Sequence, residues 1–211
     1  MGLDFTDVID YVGTFAFAIS GIRLAAAKQF DWFGAYVVGL VTAIGGGTMR
    51  DLLLGVTPFW MSQPSYLVVT GVALVFVMVF RKYVVHMNNT IFIFDAIGLS
   101  LFVVVGIERS LDAGFPFWVA ITMGMITGSI GSVTRDILIN ELPLIFRKDI
   151  YALACVFGGF VYLGCYKLGA GEVFTEVATA LSVILVRIVA VKFHISVPVL
   201  KVDDDEDAKE S

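Results

Sequence analysis

Charged residues are scarce in this chain of 211 residues, at 16% of the total, where a soluble domain carries roughly 25%. So few polar groups cannot cover a water-soluble surface. The matching excess is apolar, with 58% hydrophobic residues and a mean hydropathy of +0.90, so the natural solvent of this chain is lipid. Cysteine is nearly absent. Cys155 and Cys165 share one apolar stretch, at a spacing that fits no zinc or redox motif, and read as small buried hydrophobes. His86 and His194 stand apart from each other and from cysteine, so no metal cluster is expected. No phosphate loop or nucleophile–base pairing appears, so neither an enzyme nor a cofactor is expected, and nucleic acid is not an expected partner. No basic n-region or small-residue cleavage site marks a signal peptide, so the first apolar stretch is expected to stay in the mature protein. The net charge of −5 says little, because Asp203–Asp207 alone supplies five carboxylates, an expected solvated tail.

What the chain does have is long apolar runs. A helix needs about 20 mostly apolar residues to cross a bilayer. Seven stretches qualify: Thr6–Ala27, Trp32–Leu54, Ser65–Val84, Ile91–Arg109, Pro116–Ile139, Ile150–Leu168 and Glu172–Lys192. Between them lie Pro58, Pro64, Asn88-Asn89, Asp112 to Pro116, Pro143 and Gly169–Gly171. None alternates as a barrel strand would, and lipid leaves helices as the remaining way to satisfy the backbone. The expected fold is therefore all-α and integral to the membrane, with about seven spans. Lys28, Arg81, Lys82, Arg147, Lys148 and the Lys192–Lys201 end fall on one side, and only Arg109 and Lys167 on the other. Basic loops stay cytoplasmic, which puts the N-terminus outside and the tail in the cytoplasm.

The chain also repeats itself. A shift of 85 positions lays Asp10 on Asp95, Gly13 on Gly98, Gly21 on Gly106, Gly39 on Gly124, Thr42 on Thr127, Gly46 on Gly131, Arg50 on Arg135, Asp51 on Asp136, Pro58 on Pro143 and Tyr66 on Tyr151, without a gap. Leu and Val coincide by chance in apolar chains, but Asp, Arg, Pro and Gly together do not. Three spans per unit is an odd number, so the second unit enters from the opposite side, as an inverted repeat. The expected organisation is one unit over 1–86, its inverted copy over 87–169, a seventh span over 170–193 and an acidic cytoplasmic tail over 194–211.

Ala43–Asp51 and Gly128–Asp136 lie about halfway along the second span of each unit. Glycine costs about 1 kcal/mol in a helix relative to alanine, so a break or kink is expected at Gly45, Gly46 and Gly47. A milder one is expected over Gly128, Ser129, Gly131 and Ser132. A broken helix would turn its free carbonyls and negative dipole end to the midplane, and Thr42, Thr48, Thr127, Ser129, Ser132 and Thr134 could add hydroxyls. Such oxygens suit a monovalent cation; equally, small residues can simply let helices pack closely. Asp10, Arg50, Asp51, Asp95, Arg135 and Asp136 each cost at least about 2.5–3.5 kcal/mol within a span unless partnered. Adjacent residues point about 100° apart on a helix, so Arg50 is not expected to face Asp51. Asp10 is expected to pair with Arg50, and Asp95 with Arg135, either locking helices together or gating two mouths of a wet path. Phe30, Trp32, Phe33, Phe115, Phe117, Trp118, Trp60 and Tyr66 read as interfacial aromatics. Arg187 and Lys167 read as snorkelling cations, and Glu108 and Arg109 as solvated.

These motifs, Gly45-Gly-Gly-Thr-Met-Arg-Asp51 and Gly131-Ser-Val-Thr-Arg-Asp136, resemble those of the trimeric intracellular cation (TRIC) channels, particularly the prokaryotic members. The likeness extends to about Phe193. It implies a homotrimer with a separate pore in each protomer, lined by the second and fifth spans and kinked at these glycines. It also implies passage of monovalent cations, chiefly potassium, and a place in a prokaryotic plasma membrane. Animal members carry Lys-Glu-Val where this chain has Gly-Thr-Met-Arg-Asp, and Ser132 replaces a third glycine. The domain has also been labelled a glycine transporter. A channel and a transporter of small solutes share inverted repeats and midplane sites, so both readings stay open here.

Overall fold

The computed structural model describes residues 5–84, 90–146 and 150–196. His86, Asn88-Asn89, Arg147, Lys148, Lys201 and the acidic run Asp203–Asp207 lie outside the described residues. The order is α1 (Phe5–Ala27), α2 (Trp32–Leu54), a short α3 (Phe59–Ser62), α4 (Ser65–Val79), a short α5 (Arg81–Val84), α6 (Thr90–Asp112), α7 (Phe117–Leu138), a 3-10 turn (Leu144–Phe146), α8 (Ala152–Lys167) and α9 (Glu172–Lys192).

Five of these, α1, α2, α6, α7 and α9, are long and apolar enough to cross a bilayer, while α4 and α8 are apolar but shorter, at 15 and 16 residues. The third expected span is divided at Phe80, yet the Phe80 N–H still donates to the Phe76 carbonyl at 2.9 Å, so the chain stays nearly helical to Val84. This is an all-helical, multi-pass membrane protein.

Local chemistry sets the helix ends. Asp31 caps α2 by accepting the Gly34 N–H at 2.6 Å, satisfying one of the donors that a helix start leaves open. Gly55 closes α2 at φ 73°, and Asn140, 85 positions on, follows α7 at φ 57°. Asparagine is among the few residues besides glycine that enter this left-handed region readily, so the two units end their second helix alike.

Packing follows the same duplication. α1 and α6 pair at the centre, with α2 and α7 against them and against each other. α4 flanks α1 and α2 as α8 flanks α6 and α7, and α9 adds itself to α6 and α8. Individual contacts are reciprocal. A Cβ on Gly13 would meet the ring of Phe102, and one on Gly98 the ring of Phe17, its equivalent. Contact sets that survive exchange of partners are what a two-fold axis generates.

Candidate functional site: the α2–α7 crossing and its flanking charges

α2 and α7 cross at their small residues. A Cβ on Gly46 would run into the Thr127 carbonyl oxygen, and one on Gly131 into the equivalent Thr42 carbonyl. Gly45 faces Gly131, where an added Cβ would lie 3.5 Å from the Gly131 Cα. α1 and α6 press in likewise, since a Cβ on Gly21 would stand 2.5 Å from Thr42 Oγ1 and one on Gly106 2.6 Å from Thr127 Oγ1. A break in the helix at these glycines is not found. α2 is helical from Trp32 through Leu54 and α7 from Phe117 through Leu138, so no half-helix end is turned to the midplane. The physical reason is that close backbone approach, which only glycine allows here, offsets its poor helix propensity.

The hydroxyls of this crossing all donate to carbonyls of their own helix. Thr42 bonds Val38 O at 2.6 Å, Thr48 Ile44 O at 2.7 Å, Thr127 Met123 O at 2.6 Å, Ser129 Met125 O at 2.6 Å and Thr134 Ile130 O at 2.8 Å. Ser132 bonds Ser129 O at 2.8 Å and shares a 2.8 Å hydrogen bond with the Tyr151 hydroxyl. A hydroxyl whose proton is engaged this way has only lone pairs to offer, which is the polarity a cation needs.

The charged residues are deeply placed: Arg50, Asp51, Arg135 and Asp136 are each at most 4% exposed. Contrary to the angular argument, each arginine does meet its neighbouring aspartate. Arg50 Nε donates to Asp51 Oδ1 at 2.8 Å and Arg135 Nε to Asp136 Oδ1 at 2.8 Å. The Cβ directions diverge, but the long guanidinium arm curls round the helix. The aspartate is held in place by capping the chain beyond, with Asp51 Oδ2 accepting Phe59 N–H at 2.8 Å and Asp136 Oδ2 accepting Leu144 N–H at 3.1 Å.

In the second unit Arg135 also grips Asp95 at 2.7 Å and Ser20 at 2.8 Å, so that expected pair is present. The first-unit pair is not formed. Asp10 instead accepts the Tyr66 hydroxyl at 2.9 Å, while Arg50 keeps to Asp51 and to the Phe59 ring, 5.7 Å away. Three sequence differences account for this. Val105 stands where the other unit has Ser20, and Phe59 stands where it has Leu144. Gly47 stands where it has Ser132, so Tyr66 finds no hydroxyl of the kind that occupies Tyr151 and turns to Asp10.

Two exposed ion pairs lie at opposite ends of α1. Asp7 and Arg109 meet at 2.9 Å, and Lys28 and Glu141 at 2.6 Å. Beneath the second pair is a cavity of about 420 Å³, walled by Lys28, Arg135, Asp136, Ile139, Glu141 and Leu144 among others.

Residues 7–82 and again 92–167, two stretches 85 positions apart, match the family model described as Glycine transporter. The UPF0126 inner membrane protein YadS of Escherichia coli is 37% identical over 200 residues, covering 93% of this chain and 97% of its own. A UPF0126 membrane protein of Vibrio cholerae is 38% identical over 193 residues, covering 90% and 81%. Among solved structures, the TRIC trimeric intracellular cation channel orthologue of Rhodobacter sphaeroides superposes with a TM-score of 0.85 at 34% identity, covering 90% of this chain and 98% of that one. The chain belongs to the TRIC family.

Within this TRIC protein several residues sit differently from their sequence reading. Arg187 does not snorkel. It is 2% exposed, donates to Ile150 O at 3.2 Å, lies over the Tyr151 ring at 4.6 Å and approaches Asp95 Oδ2 to 4.0 Å. Tyr66 is no interfacial aromatic but a buried partner of Asp10, and Trp60 donates to Thr48 Oγ1 at 3.0 Å. Glu108 is buried, not solvated. It accepts the Tyr162 hydroxyl, and Thr6 donates to nearby Glu176 at 2.9 Å. Trp32, Phe33 and Trp118 do present their rings outward, each more than 70% exposed. Tyr66 and Tyr151 are the polar partners that sequence reasoning missed. Their equivalence under the 85-residue shift, next to paired charges, was the available signal.

Proposed function

We propose that this chain is a cation channel, forming a homotrimer in which each protomer holds its own ion path, with potassium the main permeant ion and sodium a lesser one. The observation that carries the reading is its likeness, along nearly the whole of both chains, to a protein described as a trimeric intracellular cation channel. The path runs between the two units, flanked by Gly45, Gly46, Gly47 and Thr48 on α2 and by Gly128, Ser129, Gly131, Ser132 and Thr134 on α7. Asp10, Arg50 and Asp51 border one mouth, and Asp95, Arg135 and Asp136 the other. Conduction in this reading requires α2 and α7 to bend apart at their glycines, because at Gly46 and Gly131 their backbones are in direct contact. No enzymatic step forms part of the reading.

The two units, 1–86 and 87–169, are in this reading inverted about an axis in the membrane plane. The N-terminus is outside, with the end of α9 and the 194–211 tail in the cytoplasm of a prokaryotic cell. Support comes from the placement of Lys28 beside Glu141 and of Arg23, near the end of α1, beside the Val84 carbonyl, 3.3 Å away, which brings the ends of α1, α5 and α7 to one side. Thr6 and Glu176 meet at the other.

The test is purified protein in planar bilayers under a KCl gradient. Unitary currents reversing near the potassium potential are expected; reversal near the chloride potential would reject cation selectivity. A second reading, transport of a small solute, has support in the description Glycine transporter given to the family model. Saturable glycine uptake without unitary current would favour it.

A further inference from the structure

The cavity of about 420 Å³ described above opens where α1 and α7 end and α6 begins. The charges at its floor are already engaged with one another. Arg135 holds Asp136 and Asp95, and Arg187 approaches Asp95 from the far side. At the rim the situation differs. Lys28, in the turn after α1, and Glu141, in the turn after α7, meet at 2.6 Å with side chains 42% and 40% exposed. Among the described residues that wall the cavity, they are the exposed charged pair.

This pair belongs to one mouth only. Under the 85-residue shift Lys28 corresponds to Ala113 and Glu141 to Val56, neither of which carries charge. The opposite end has its own exposed pair, Asp7–Arg109, built from positions whose equivalents are Phe92 and Leu24. Shared ancestry of the two units therefore does not explain either pair. Nor does stability, since exposed ion pairs contribute little.

We propose that Glu141 is a carboxylate of the inner mouth that sets the rate of cation entry, and that Lys28 is a tethered cation competing with permeant ions for it. The inference rests on the channel reading above. A monovalent cation reaching the cavity encounters a carboxylate already neutralised by a flexible, water-exposed ammonium. Because the pair is exposed, exchange of the ammonium for a permeant ion costs little. Because the ammonium is tethered, it returns when the ion moves on. The local ion concentration at this mouth is thereby held below what an unneutralised carboxylate would gather. The Asp7–Arg109 pair is not over this cavity, so the effect is one-sided and shows as rectification.

The experiment compares wild-type, Lys28→Gln, Glu141→Gln and the swapped Lys28→Glu/Glu141→Lys chain as single channels in planar bilayers, from 0.05 to 1 M KCl. A unit charge near a wet mouth changes local ion concentration by about twofold at 0.1 M salt. Lys28→Gln is expected to raise potassium current entering from the inner side by about that factor, and Glu141→Gln to lower it. The swapped chain should return towards the wild-type curve. All differences should fade at 1 M KCl, where the screening length falls to about 3 Å. Both residues are exposed, so the variants should melt with the wild-type protein, and a melting curve establishes that. Superimposable current–voltage curves for folded variants overturn the proposal, as do changes of the same sign in both single variants. A silent wild-type chain would overturn the channel reading itself, which separates the two failures.

Discussion

Replacing Gly46 by alanine tests the account of the α2–α7 crossing directly. In an open helix this change would gain about 1 kcal/mol from propensity. Here the new methyl would meet the Thr127 carbonyl oxygen, a backbone atom that cannot rotate away. Overpacking of a filled interior costs about 1–3 kcal/mol, and a backbone opponent places this case at the upper end. The net expectation is a loss of about 1–2 kcal/mol. For a chain of 150–250 residues each kcal/mol moves the midpoint by about 2–4 °C, so the apparent Tm should fall by roughly 2–8 °C. Gly131→Ala should do the same against the Thr42 carbonyl. The double variant should lose less than the sum, because one separation of α2 from α7 relieves both clashes. Gly71→Ala in α4 and Gly164→Ala in α8 are the controls, since an added Cβ there meets nothing within 4 Å, and both should melt at or above wild type. The assay is thermal unfolding in a single detergent, read by tryptophan fluorescence. If Gly46→Ala melts with the controls, the direct-contact crossing is wrong.

Further expectations concern the charges. Asp95→Asn breaks a buried pair with Arg135 and should cost about 3–5 kcal/mol, whereas Asp10→Asn, whose amide oxygen can still accept the Tyr66 hydroxyl and which loses only a charge not in contact with Arg50, should cost less; the two melting curves decide it. Tyr66→Phe removes the sole hydrogen-bond partner found for Asp10 among the described residues and should destabilise by about 1–3 kcal/mol. In Tyr151→Phe, Ser132 keeps its bond to Ser129 O, so that loss should be smaller. Arg187→Met removes the ring contact with Tyr151 and the hydrogen bond to Ile150 O; if the arginine snorkelled instead, the variant would melt unchanged.

Much of the fold was legible in the sequence. Long apolar runs with Pro58, Pro64, Pro116 and Pro143 near their ends placed the seven apolar helices found among the described residues, because bilayer thickness dictates length and lipid forbids open backbone. The matching of Asp, Arg, Gly and Pro across 85 positions paired Gly46 with Gly131 as crossing points. What the glycines do was less legible. Propensity argues for a break, and packing argues for close approach. Only the position of the opposing carbonyls decides between them.

The charges divide along the same line. The order of residues already required that Arg50, Asp51, Arg135 and Asp136 find partners, since an ionised group in lipid cannot stay alone. It also determined that the two units would offer equivalent positions. Which partner each charge takes was decided only by tertiary structure. Reach and competition among side chains from separate helices depend on distances that no linear spacing contains. Ser132 holds Tyr151 while Gly47 leaves Tyr66 free for Asp10. Arg187 comes from α9, outside the repeat, and settles beside Asp95, so two nearly identical motifs end in different networks.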